Sequence, residues 1–195
     1  FLNLRKAGSK IRGVHRAAIL PAVMHGTRVV GMPPAVLQRL RRLLLTGQPR
    51  RAKAASLALQ FASGKKKSDP TFAVFEAPLL QWARQAFGGD TLTRRRLQAA
   101  WQAQVVGLTL AKRPWAKVAG PAGAIIVVLR QLGWRTSSAF NWQTDTGVNV
   151  DVRLEAPSSL RKLINSSTER YIWKQWAAEP ACNAKSVRRV RGYWM

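Results

Sequence analysis

Carboxylates are scarce in this sequence: eight Asp and Glu among 195 residues, set against 33 Lys and Arg. No two acids are adjacent, and the nearest grouping is Asp145, Asp151 and Glu155. Paired-carboxylate acid–base catalysis and two-metal phosphoryl transfer both need acids that converge on one point, so the chain has little material for either. Cys182 is the sole cysteine, which excludes an intrachain disulfide and a thiolate zinc cluster and fits a reducing compartment. Its basic neighbours, Lys185 among them, favour a thiolate, but no partner residue accompanies it. His15 and His25 lack the HExxH spacing of zinc hydrolases. No glycine-rich phosphate loop ending in Lys-Ser or Lys-Thr occurs, and Gly120-Pro121-Ala122-Gly123 lacks the rest of either nucleotide-binding fingerprint. No uncharged apolar run reaches the roughly 18 residues that a membrane-spanning helix requires. A charged-then-apolar leader is missing too, and the opening Phe-Leu-Asn-Leu-Arg-Lys reads as the start of a piece of a longer polypeptide. The expectation is a nuclear or cytoplasmic protein with no catalytic centre, no cofactor and no metal site.

Cation is what fills the chain instead. The formal net charge is +25 and the pI is near 11.9. A compact fold repels itself at that charge unless a polyanion neutralises it. Nucleic acid is the commonest polyanion of sufficient charge density, because binding its phosphates releases condensed counterions. Hydrophobic residues make up 47% of the chain and eight residues are Trp, so a packed core is expected rather than a disordered basic tail. The cations fall into five clusters: Arg39, Arg41 and Arg42; Arg50, Arg51 and Lys53; Lys65, Lys66 and Lys67; Arg94, Arg95 and Arg96; and Lys112 and Arg113 with Lys117 beside Trp115. Arginine forks grip phosphates bidentately, and exposed Trp stacks on unpaired bases. Any single cluster reads as a solvated face; five of them with so few acids point to RNA, DNA or an RNA–DNA hybrid as partner. For Trp82, Trp101, Trp134 and Trp142 burial is expected.

Helical spacing dominates most of the chain. Ile11, Val14, Ala18 and Ala22 predict an amphipathic helix over residues 11–30, interrupted at Pro21. Pro34 suits a first helical position, and Val36, Leu37, Leu40, Leu43 and Leu44 then form one face up to the stop at Gly47 and Pro49. Leu57, Leu59 and Phe61 predict a weak helix between basic loops. Asp69-Pro70 opens a segment expected to end before Pro78, which begins a short helix with Leu79, Leu80, Trp82, Ala83 and Phe87, closed by Gly88-Gly89. Thr91 or Thr93 is the expected cap of the next helix, through Leu97, Ala100, Trp101 and Val105. Arg94, Arg95 and Arg96 in its first turn oppose the helix dipole, a penalty that a bound phosphate would reverse. Pro121 begins a buried helix through Ile125, Ile126, Leu129 and Leu132, ending at Gly133.

The pattern then switches to alternation. Phe140 and Trp142, then Val148, Val150, Val152 and Leu154, alternate with polar residues around Asp145-Thr146-Gly147, which predicts a β-hairpin over about 139–154. Asp-Thr-Gly is also the triplet of aspartic proteases, but Trp142-Gln143-Thr144 is no apolar run and the chain has no second copy, so turn chemistry is the preferred reading. Pro157 opens a last helix with Leu160, Leu163, Ile164, Tyr171 and Trp176, followed by a basic tail of Lys185, Arg188, Arg189 and Arg191. The expected fold class is mainly α with one β-hairpin. Its expected divisions are a helical segment with basic loops at 1–69, a helical segment carrying the hairpin at 70–180, and the tail at 181–195.

One stretch carries a family resemblance. Arg16-Ala17-Ala18-Ile19-Leu20-Pro21-Ala22-Val23-Met24-His25-Gly26, then Val29-Val30-Gly31-Met32 and Leu37-Gln38-Arg39-Leu40-Arg41-Arg42, resembles the thumb that follows the palm in non-LTR retrotransposon reverse transcriptases. That family shows a helix, an apolar-Pro-apolar segment, an aromatic-Gly pair and a Leu- and Arg-rich helix; His25 stands here where Tyr is usual. Leu132-Gly133-Trp134 and the strands after it resemble the connector beyond the thumb in retroelement polyproteins. The resemblance implies a helical thumb-like bundle followed by a small α+β segment, with the Arg39–Arg42 helix tracking the backbone of a template–primer duplex. The aromatic-x-Asp-Asp motif of the palm is absent, so the resemblance implies the grip of an RNA-directed DNA polymerase without its chemistry. Two other readings stand beside it: a structural RNA-scaffold protein such as an organellar ribosome component, and a binder of anionic membrane surfaces through basic amphipathic helices.

Overall fold

A computed structural model describes residues 20–46, 57, 61 and 69–178. The cations Arg50, Arg51, Lys53, Lys65, Lys66 and Lys67, the amino-terminal part of the predicted first helix, Cys182 and the basic tail lie outside the described residues. In chain order the elements are α1 (Leu20–Met24), α2 (Thr27–Val30), α3 (Pro34–Thr46), α4 (Pro70–Gly88), α5 (Thr91–Thr109), a 3-10 turn (Pro114–Lys117), α6 (Gly120–Leu132), β1 (Arg135–Thr136), β2 (Asn141–Gln143), β3 (Asn149–Asp151) and α7 (Pro157–Ala177). The fold is mostly helical with one small antiparallel sheet, as the spacing predicts.

Helix α4 is the hub, packing against α2, α3, α5, α6 and α7. Its buried positions Thr71, Val74, Phe75, Pro78, Leu79, Trp82, Ala83 and Ala86 recur every three or four residues. That stripe crosses Pro78 without a change of phase, which corrects the expected break there. Proline costs the helix one hydrogen bond, the one its missing N–H would donate to the Val74 carbonyl. Burial of the stripe on both sides outweighs that loss.

Helix α3 also departs from its expected face. Leu37, Leu40, Arg41 and Leu45 are buried, while Val36 and Leu43 are exposed. The buried stripe is thus rotated toward Arg41. Helix α6 is buried from Ala122 to Leu129 and ends at Gly133, whose φ of 77° lets the N–H groups of Gly133 and Trp134 reach back to the carbonyls of Arg130 and Leu129. Val74, Phe75, Ile125, Leu129, Leu160 and Ile164 share one core with Met32, Leu37 and Leu40. The core is therefore continuous across the division expected between residues 69 and 70.

The hairpin forms with Trp142 opposite Val150, and Thr144, Asp145, Thr146 and Gly147 supply the turn end. A third strand, β1, pairs with β2 through Arg135 opposite Gln143 and Thr136 opposite Trp142. Its two residues are too short a stretch for alternation to reveal. Trp82, Trp101, Trp134 and Trp142 are all buried as expected. Trp82 and Trp101 lie 6.0 Å apart, Trp134 and Trp142 6.3 Å apart, and the indole N–H of Trp82 donates to the Ala139 carbonyl at 2.9 Å.

Candidate nucleic-acid interface

The described residues hold 18 of the 33 Lys and Arg and seven of the eight acids. Five of those acids are committed to the fold, four by binding an arginine and one by capping a helix.

At the amino end of α4, Asp69 does two things at once. One carboxylate oxygen accepts hydrogen bonds from the Thr71 backbone N–H at 2.9 Å and the Thr71 hydroxyl at 2.6 Å, capping the helix. The other accepts from the Arg41 Nη2 at 2.7 Å. Arg41 is 7% exposed and Asp69 5%. The Arg41 guanidinium also stands 5.6 Å over the Phe61 ring. Its place in the expected phosphate-binding set is thereby corrected: Arg41 falls four residues after Leu37 and four before Leu45, on the buried stripe, where it joins α3 to α4.

A second clasp closes the sheet onto α7. Arg170 binds Asp145 bidentately at 2.6 and 2.7 Å, and the Ser167 hydroxyl donates to the same carboxylate at 2.6 Å. The Trp134 indole N–H donates to Ser167 at 2.8 Å, so one chain of bonds ties α6, the hairpin turn and α7. The Arg170 guanidinium holds the Asp145 carboxyl down to about 2, the Ser167 hydroxyl adding to its effect against the opposing pull of burial. Asp145 is a structural turn residue, as expected of its triplet. Asp151 pairs with Arg153 at 2.6 Å and Glu76 with Arg161 at 3.0 Å.

The first turn of α5 resolves differently from its expectation. Asp90, rather than Thr91 or Thr93, is the cap, accepting from the Thr93 N–H at 2.7 Å. That bond, with the nearby Arg96 charge, lowers its carboxyl from the usual 3.8. Arg94 turns back to the other helix end, its Nε donating to the Ala86 carbonyl at 3.0 Å and its Nη2 to the Phe87 carbonyl at 3.3 Å. A cation at those carbonyls is favoured by the α4 dipole. The penalty foreseen for three cations is thus reduced by one carboxylate and one redirected arginine.

What remains is a set of exposed cations. Arg39 and Arg42 lie on the outer face of α3, Arg95 and Arg96 on α5, and Lys112 and Arg113 in the loop after α5. None of the six makes an ion pair among the described residues. The structure does not gather them in one pocket. The Arg41–Asp69 bond places Arg39 and Arg42 by the amino end of α4, and Arg94 places Arg95 and Arg96 by its carboxyl end, roughly the 28 Å length of a 19-residue helix away, while Lys112 and Arg113 follow the far end of α5. Trp115 is corrected as a base-stacking residue. Its ring is half-buried against the core and lies beside Gly31, where a Cβ would come within 2.7 Å of the Trp115 Cη2.

Three further arginines, which lie outside the five cation clusters of the sequence, line one groove: Arg28, Arg84 and Arg161. Among the described residues no three His, Cys, Asp or Glu side chains stand together as a metal site, and no helix is long and apolar enough to cross a membrane. No protein-family model, curated protein or solved structure matches the chain.

Proposed function

We propose that this chain binds nucleic acid without a catalytic centre of its own, and that it serves as the grip on template and primer of a reverse transcriptase, as its thumb-like stretch implies. The observation that carries the reading is the segregation of charge. Five of the seven acids among the described residues bind arginines or cap a helix, whereas Arg39, Arg42, Arg95, Arg96, Lys112 and Arg113 face solvent and make no ion pair among the described residues. Placing cations at both ends of a helix suits an extended polyanion better than a small anion. About 28 Å corresponds to about eight base pairs at 3.4 Å each.

The test is a titration of the chain with an RNA–DNA hybrid, duplex DNA, single-stranded RNA and anionic vesicles over a range of salt. Tightest binding to the hybrid, with a log–log salt slope of about −0.9 per phosphate contacted on duplex DNA, is expected. Tighter binding to folded RNA than to the hybrid favours the RNA-scaffold reading. Binding to vesicles alone, or to nothing at low salt, overturns the proposal.

A further inference from the structure

Between α1–α2 and the faces of α4 and α7 lies a groove of about 760 Å³. Its volume falls in the range of about 300–1,000 Å³ typical of ligand sites. Met24, Ala77 and Leu80 give it an apolar floor, and Arg28, Arg84 and Arg161 bring three guanidiniums to its wall. One acid lines it, Glu76, already paired with Arg161 at 3.0 Å. Arg28 and Arg84 are exposed and have no hydrogen-bond or ion-pair partner among the described residues. The groove is therefore net cationic around an apolar floor. On the other side of α2 a smaller cavity of about 280 Å³ shares Arg28 and Val29 as its wall and adds the amides of Gln81 and Gln85. Arg28 thus stands on the ridge between two adjoining hollows along α4.

We propose that this groove is a second nucleic-acid site, one that receives unpaired nucleotides of a single strand, with phosphates on Arg28, Arg84 and Arg161 and bases on the apolar floor. The inference rests on the nucleic-acid reading and adds a partner form to it. A rigid duplex shows its phosphates outward and keeps its bases stacked, so it cannot place bases against Leu80 and Ala77. A single strand offers both parts at once, the charge along its backbone and flat apolar faces on its bases. The exposed cations of α3 and of the first turn of α5 stand a helix length apart and fit the outside of a duplex. The groove instead combines charge with concave apolar surface. The two together suit a junction at which a duplex gives way to an unpaired strand.

The experiment uses the full chain and fluorescent probes: a ten-nucleotide oligouridine and a hybrid of matching length. The double variant R28E/R84E is expected to lower oligouridine affinity at least tenfold. Its salt slope is expected to flatten by about 1.4, since each of two phosphates freed on a single strand accounts for about 0.7. Hybrid affinity is expected to fall less than threefold. R39E/R42E is expected to show the reverse preference. An equal loss for both probes, or no loss for oligouridine, overturns the groove while leaving the broader reading in place. If the parent chain binds neither probe, both fall together. Cross-linking of an iodouracil-substituted oligonucleotide to the unaltered chain gives a readout free of any folding defect. Cross-links are expected in peptides covering residues 20–29 and 73–84, and cross-links confined to 94–113 refute the site.

Discussion

The two ends of α4 treat arginine in opposite ways. At the amino end Arg41 meets a carboxylate, is buried and becomes part of the fold. At the carboxyl end Arg94 donates to backbone carbonyls, with the Asp151 charge near enough to feel it but not bonded, and Arg95 and Arg96 remain exposed with no acid bonded to them. The clusters look alike as strings of letters, Arg-Leu-Arg-Arg and Arg-Arg-Arg. What separates their roles is whether the fold brings an acid to them, and with seven acids among the described residues that choice is rationed.

The strongest way to break this contrast is at Asp69. Asp69→Ala leaves Arg41 buried without its partner and removes the α4 cap, so a loss of about 3–5 kcal/mol is expected from urea unfolding midpoints. Replacing both partners by apolar residues, as R41M/D69L, is expected to recover much of that loss, since the isolated charge is what costs most. A loss below about 1 kcal/mol for Asp69→Ala would show that Arg41 reaches solvent and belongs with its exposed neighbours after all.

The second clasp predicts a pH dependence. The Asp145 carboxyl lies at about 2 in the fold against an ordinary 3.8, so its ionised form is favoured by folding. Its contribution, about 2 kcal/mol, is complete above the ordinary value and fades as pH falls from about 4 toward 2. Asp145→Asn is expected to remove that acid-side slope while lowering stability at neutral pH by a similar amount. An unchanged slope between pH 4 and pH 2 would mean that the Arg170 bond is not formed in solution.

Much of this fold was legible from spacing alone. The start of α3 at Pro34, the end of α6 at Gly133, the hairpin and the four buried tryptophans all follow from local signals that their neighbours do not contradict. The departures share one cause, a local rule overridden by tertiary contact. Pro78 stays inside α4 because the buried stripe continues across it, and Arg41 leaves the charged face because Asp69, 28 residues away, waits for it. The i, i+4 relation of Leu37, Arg41 and Leu45 was present in the letters, but charge type pointed the other way. Arg28, Arg84 and Arg161 carried no signal at all, because a groove assembled from α2, α4 and α7 has no spacing in sequence.

Smaller effects test the open end of α4. R95Q/R96Q is expected to leave thermal stability within about 0.5 kcal/mol of the parent, as exposed substitutions do. Affinity for an RNA–DNA hybrid is expected to fall three- to tenfold, with a salt slope shallower by about 1.8 if each arginine contacts one phosphate as on duplex DNA. Unchanged affinity would remove α5 from the interface.

The smallest change separates fold from binding by sign. Asp90→Ala removes the carboxylate that accepts from Thr93, so α5 frays and the melting temperature drops slightly. The same change removes the one negative charge beside Arg96 and leaves the first turn of α5 more cationic. A helix amino end with added positive charge attracts phosphate more strongly. Hybrid affinity, measured at low salt where surface charge is least screened, is therefore expected to rise as stability declines. A chain that weakens in both respects would place the phosphates elsewhere, because at this corner the residue that serves the helix is the one that opposes the ligand.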